Sequence, residues 1–113
     1  MTTSADHEVA RVADMFAAMG AEPRLRIVRL LLSAHPGGMI AGDIAGALNI
    51  SGSTLSHHLD RLKREHVVNV RRDGTFLWYT ANAEGLERLL KFLFAECCTR
   101  SSLIHPDRLT MRA

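Results

Sequence analysis

The chain is poor in thiols, in long apolar runs and in excess charge, and each shortage narrows its chemistry. Its 113 residues include two cysteines, the neighbours Cys97 and Cys98. Adjacent thiols cannot build a disulfide framework, and a reducing compartment would leave them available to a ligand. No apolar run approaches the ~18 residues of a membrane span. The polar start Met1-Thr2-Thr3-Ser4 lacks the apolar region of a signal peptide. A cytoplasmic protein with no membrane partner is expected. No Cys-x-x-Cys stands beside a βαβ pattern, which argues against a thiol oxidoreductase and against enzyme activity. Internal repeats and low-complexity tracts are also missing.

At 47% hydrophobic, the chain can bury a core as a single domain over residues 1–113, and domains of this size commonly gain stability by pairing. The net charge of +2 is small but unevenly placed. From Arg61 to Arg72 stand Arg61, Lys63, Arg64, Arg71 and Arg72 against Glu65 alone, a cluster suited to phosphate contacts. Taken alone, such a run also fits a solvated helix face.

Periodicity predicts a mostly α protein with a small β-hairpin, about five helices in all. Ser4 is expected to cap a first helix over about residues 5–19, with apolar Val9, Val12, Ala13 and Phe16 and a stop at Gly20. Pro23 opens a second helix carrying Leu25, Val28, Leu31 and Leu32, which ends before the breaker cluster His35-Pro36-Gly37-Gly38. A short third helix covers about Gly42 to Leu48.

After a turn at Asn49-Ile50-Ser51, a fourth helix is expected from Gly52 to about Glu65, with Leu55, Leu59 and Leu62 on its core face. The 100° step places Ser53, Ser56, His57, Asp60 and Arg64 on the opposite face. Short hydroxyl side chains there would let the helix approach base edges, with Arg61, Lys63 and Arg64 reaching phosphates on either side. His57 and His58 diverge by the same step, so they are poorly placed to share one metal ion. From Val67 to Thr80 a two-stranded ribbon follows, with Asp73-Gly74 as its turn and Phe76, Trp78 and Tyr79 on the return. Arg71 and Arg72 precede its tip, placed to contact DNA backbone or minor groove. Trp78 and Tyr79 are expected to anchor the hairpin, and the tip itself to carry no aromatic residue.

The stretch "DIAGALNISGSTLSHHLDRLKREHVVNVRRDGTFLWYTAN", Asp43 to Asn82, with the leading "EPRLRIVRLLL" from Glu22 to Leu32, resembles the winged helix-turn-helix of the ArsR/SmtB family of metalloregulatory repressors. The resemblance implies a homodimer joined through its first helix and its last, about residues 83–98, that covers double-stranded operator DNA and leaves it when a metal or metalloid binds. It also points to Ser51, Ser53, Thr54, Ser56, His57, Arg61, Lys63, Arg64, Arg71 and Arg72 as DNA-contacting residues. Gly52 stands where many members carry glutamine.

The family places ligands at several sites, and most are not matched. "GDIAGAL" in the third helix has no thiols, and "EGLERLLKFLFAECC" has no histidine for a zinc site. The Cys97-Cys98 pair resembles arsenical sensors with thiols at the end of the last helix, which implies trivalent arsenic, as arsenite or methylarsenite, or antimonite as inducer. A third cysteine is lacking, so three-thiol coordination within one subunit is excluded. Cys97 falls on the stripe Leu86, Leu90, Leu93, and Cys98 turns toward the flank beyond Phe94. Burial as two inert thiols and service as a persulfide or redox sensor are the alternatives. The tail 99–113, interrupted by Pro106, is expected to be irregular.

Overall fold

A computed structural model describes residues 3–100, with side chains detailed through residue 95. The chain divides into two compact units, one ending at Asn82 and one beginning at Ala83. In the first unit the order is α1 (Ser4–Met19), α2 (Glu22–Ser33), β1 (Met39–Ile40), α3 (Ala41–Leu48), α4 (Gly52–Arg64), β2 (Val68–Asp73) and β3 (Phe76–Ala81). The second holds α5 (Ala83–Arg100). No described helix is long and apolar enough to cross a membrane.

Helix α1 starts one residue earlier than the sequence implied. Thr3, not Ser4, is the cap: its hydroxyl accepts from the Asp6 N–H at 3.1 Å while the Asp6 carboxylate accepts from the Thr3 N–H at 3.1 Å, a reciprocal capping box. Asp6 is fully exposed, and these hydrogen bonds hold its carboxyl below the usual aspartate range. Helix α1 carries two apolar stripes. Val12, Met15 and Ala18 are buried, whereas Val9 and Phe16 remain 54% and 42% exposed. On α2, where Pro23 sits in the first turn, Ile27, Val28 and Leu31 are buried and Leu25 and Leu32 stay exposed.

The core of the first unit is made where Ile27 and Leu31 of α2, Ile44 of α3, Leu55 and Leu62 of α4 and Val67 and Val68 of the following segment lose nearly all contact with solvent. The apolar set predicted for α4, Leu55, Leu59 and Leu62, is the buried one. The hairpin is present with an added partner: β1 pairs antiparallel with β3, Met39 opposite Tyr79 and Ile40 opposite Trp78, giving a three-stranded sheet in the order β1-β3-β2. Gly38 makes the close approach possible. Its φ is +84°, and a Cβ there would collide with the Tyr79 carbonyl oxygen and lie 2.6 Å from Thr80 Cγ2.

Helix α5 runs through Cys97 and Cys98 to Arg100, so the backbone stays helical two residues past the expected end. The rest of the expected irregular tail, residues 101–113, lies outside the described residues. Of the stripe assigned to this helix, Leu90 and Leu93 are each 48% exposed. An exposed Glu87–Lys91 ion pair at 2.9 Å spans one turn and lowers the Glu87 carboxyl from its ordinary value.

Candidate nucleic-acid interface

The two helices of the helix-turn-helix are joined by a turn that satisfies its own backbone. Asn49 ends α3 in the left-handed region with φ 54°, and the Ile50 N–H reaches back to the Ala45 carbonyl at 3.1 Å. Ser51 then caps α4. Its hydroxyl accepts from the Thr54 N–H at 3.3 Å, donates to Thr54 Oγ1 at 2.9 Å and lies 3.4 Å from Ser53 Oγ. Three of the four hydroxyls expected to contact DNA, those of Ser51, Ser53 and Thr54, are therefore linked at the N-terminus of α4. Ser51 has a structural task independent of any ligand.

Further along α4, Ser53, Ser56, His57, Asp60, Lys63 and Arg64 are exposed, and Arg61 and His58 are half-buried. The outward face is the one that the 100° step predicts from the buried leucines. Arg61, Lys63 and Arg64 occupy the last turn, where cations also complement the negative end of the helix dipole. The helix closes on His66, a non-glycine residue with φ 59°. The His66 N–H donates to the Lys63 carbonyl at 3.1 Å, and the Val67 N–H to the Leu62 carbonyl at 2.9 Å. That pair of bonds is a Schellman closure with an imidazole at the position glycine ordinarily takes. The Asn82 side-chain amide donates to the His66 carbonyl at 2.8 Å and ties this corner to the end of β3.

The ribbon is turned by Gly74 and Thr75, because Asp73 pairs directly with Phe76. The turn thus lies one residue later than Asp73-Gly74. Gly74 has φ +63° as the first of two loop residues, the position where a tight hairpin needs a positive φ. The two loop residues carry no aromatic ring, as expected, while Phe76 flanks the loop with 55% exposure and Leu77 follows at 44%. Arg71 and Arg72 are exposed, but neighbours on a strand project from opposite faces. Arg71 pairs with Trp78 and places its guanidinium carbon 5.9 Å from the ring centroid. Arg72 pairs with Leu77, and its Nε donates to the Gly74 carbonyl at 3.4 Å.

Arg72 and Leu77 join Lys63, His66, Val68, Asn69 and Val70 around an open groove of about 420 Å³ between the end of α4 and the ribbon. The structure thus brings together Lys63 and Arg72 from the expected contact set and sends Arg71 to the other side. His66 and Asn69 were missed in the sequence. The available signal was the lack of glycine between the last core leucine of α4 and the first valine of the strand, which forces some other residue into the left-handed closure. The side chains of Cys97 and Cys98 lie outside the described side chains. Among the described residues, no three of His, Cys, Asp and Glu come together as a metal site.

Comparison with known proteins places this arrangement. Residues 19–71 match the model of a helix-turn-helix domain. The chain is 36% identical over 80 residues to the transcriptional repressor SdpR of Bacillus subtilis, covering 71% of this chain and 86% of that protein. It is 35% identical over 75 residues to the cadmium resistance transcriptional regulatory protein CadC of Listeria innocua, with 66% and 61% covered. Among solved structures, reduced HlyU of Vibrio cholerae superposes with a TM-score of 0.64 at 28% identity over 82% of this chain and 95% of that one. The homodimeric winged helix-turn-helix domain of Mb0332 from Mycobacterium bovis gives 0.67 at 25% identity over 100% and 97%. A "possible transcriptional regulator for arsenical resistance" gives 0.62 at 30% identity over 85% and 92%. With an exposed recognition helix, a basic ribbon beside it and regulators as relatives, the chain belongs to the ArsR/SmtB family of winged helix-turn-helix transcriptional regulators.

Proposed function

We propose that the protein is a cytoplasmic homodimeric repressor whose residues 1–113 act as one winged helix-turn-helix domain, binding double-stranded operator DNA and leaving it when a trivalent arsenical joins Cys97 to Cys98. The observation that carries the DNA-binding half is the exposure of Ser53, Ser56, His57, Lys63 and Arg64 along one face of α4, with Arg72 on the ribbon beside its end. Two recognition helices related by a two-fold axis meet equivalent half-sites, which calls for a pseudo-palindromic duplex. The exposed Val9 and Phe16 of α1, seven residues apart, and Leu90 and Leu93 of α5 are apolar surface suited to a second copy. Mb0332, a homodimer by its description, supports the same assembly.

The sensing half rests on chemistry and likeness. Trivalent arsenic is a soft acceptor for thiolates, the only two thiols of the chain are adjacent, and one solved relative is described in terms of arsenical resistance. A bridging arsenic atom relieves the strain that a direct bond between neighbouring sulfurs would impose. DNA and inducer would then oppose each other through one coupling free energy. Operator release measured against arsenite, methylarsenite, antimonite, zinc and a persulfide donor tests the reading. Release by the arsenicals alone is expected. Release by persulfide alone would transfer the cysteines to redox sensing, and release by zinc alone would move the sensor away from them.

A further inference from the structure

The groove between the end of α4 and the ribbon has a composition that the expected contact set does not explain. Lys63 enters from α4 and Arg72 from β2, while Asn69 adds an amide and no carboxylate is among the lining residues. The imidazole of His66 completes this rim from a left-handed backbone position with φ 59°. Glycine or asparagine would occupy that conformation with less crowding, so helix closure does not account for the choice of histidine. An exposed imidazole held there beside Lys63 and Arg72, with no carboxylate in the lining, points to an anionic ligand.

We propose that this groove seats a backbone phosphate of duplex DNA, held by Lys63, His66 and Arg72, with His66 contributing most when its ring is protonated. The inference rests on the DNA-binding reading and adds to it a contact residue and a pH dependence. An imidazole bonded to a phosphate oxygen through N–H gives a stronger, charge-assisted bond as imidazolium. The charged groups lining the groove around it, Lys63 and Arg72, are both cations that share the same phosphate. Binding therefore takes up a proton, and affinity rises as the pH falls through the imidazole range. The contact is to the backbone, so it acts on every sequence alike.

The test uses the full chain and a labelled random-sequence duplex at low, fixed ionic strength, near pH 6 and near pH 8. Wild type is expected to bind about fivefold more tightly at the lower pH. His66→Asn, which suits the left-handed position and keeps the carbonyl bond to Asn82, should lower that ratio, and what remains belongs to His57 on the outward face of α4. The variant should lose more affinity near pH 6 than near pH 8, and at the lower pH its slope of log K against log salt should be shallower by about one. An unchanged ratio in His66→Asn, or equal weakening at both pH values, overturns the phosphate seat while leaving DNA binding intact. Absence of binding by wild type to any duplex overturns the DNA-binding reading and this one with it.

Discussion

Arg71 and Trp78 face each other across the β2/β3 ladder, with the guanidinium carbon 5.9 Å from the ring centroid. The pair fixes which side of the ribbon Arg71 serves. Arg72, one residue on, projects from the opposite face toward the groove it shares with Lys63. The adjacent arginines, read in the sequence as one cationic unit, have different surroundings.

Their separate replacement should therefore give unequal results. Arg72→Ala is expected to weaken binding on all duplexes and flatten the slope of log K against log salt by about one. Arg71→Ala should change the slope less and instead lose the ring contact, costing about 0.5–1 kcal/mol of stability. Equal slopes for the two variants would mean that both faces of the ribbon meet DNA. Substituting Ser56 or His57, on the outward face of α4, should alter preference among operators and not affinity for all of them.

Gly38 should tolerate no side chain. Gly38→Ala places a Cβ against the Tyr79 carbonyl and Thr80 Cγ2 at a φ of +84°, so either β1 leaves the sheet or β3 shifts. A loss of about 2 kcal/mol or more is expected in urea unfolding. Gly52→Ala provides the control, because nothing lies within 4 Å of a Cβ at that position.

The difference between these glycines shows what the sequence could reveal. Helix α4 was legible because three leucines at helical spacing fix its buried face, and that face in turn fixes which residues look outward. Strand β1 was not, since two residues carry no periodicity and Met39-Ile40 becomes a strand only by pairing with β3. The core face of α1 was hidden for another reason. With apolar residues on two stripes, spacing alone cannot choose between Val12-Met15-Ala18 and Val9-Phe16. At the candidate site, the exposed residues of α4 followed from the leucines, whereas the divergence of Arg71 from Arg72 depended on strand register and the role of His66 on the helix closure.

The capping box of α1 makes a statement about pH. The Asp6 carboxyl is held below its ordinary range by the Thr3 N–H and hydroxyl. A depressed value means that the cap contributes stability above the unfolded aspartate range and loses it as the pH falls through the lowered value. Carboxyl NMR titration should find Asp6 below the value of an unstructured aspartate, and Thr3→Ala, which removes the hydroxyl but keeps the backbone N–H, should bring it part of the way back. Thr3→Ala is also expected to cost about 1 kcal/mol of stability. An Asp6 midpoint in the wild type no lower than that of an unstructured aspartate would show that the box is not formed in solution.

Cys97→Ser and Cys98→Ser should each bind operator as wild type does and fail to leave it when an arsenical is added. The two functions separate because the proposed DNA contacts lie on α4 and the ribbon, and the thiols on α5. Loss of operator affinity without inducer in either variant would mean that the thiols serve the fold.

Counting thiols decides which arsenical should act at lower concentration. Arsenite can take three sulfur ligands, whereas methylarsenite already holds one carbon and has two valences left, which Cys97 and Cys98 satisfy in full. Arsenite would need hydroxide or a hydroxyl to complete its shell. Helix α5 is regular through both cysteines, and consecutive helical positions diverge by 100°. Closing a small ring through one arsenic atom therefore requires the backbone near Cys97 to leave helical geometry, at the cost of the hydrogen bonds of the last turn. Both arsenicals bear this cost, but methylarsenite forms all its bonds within the pair. Methylarsenite should release operator at the lower concentration, with a loss of helical circular dichroism of about one turn in each subunit. Side-by-side titration of operator release checks the order. Clearly tighter action by arsenite would defeat the two-thiol argument, and release without any loss of helix would remove the proposed unwinding as the mechanical link to DNA.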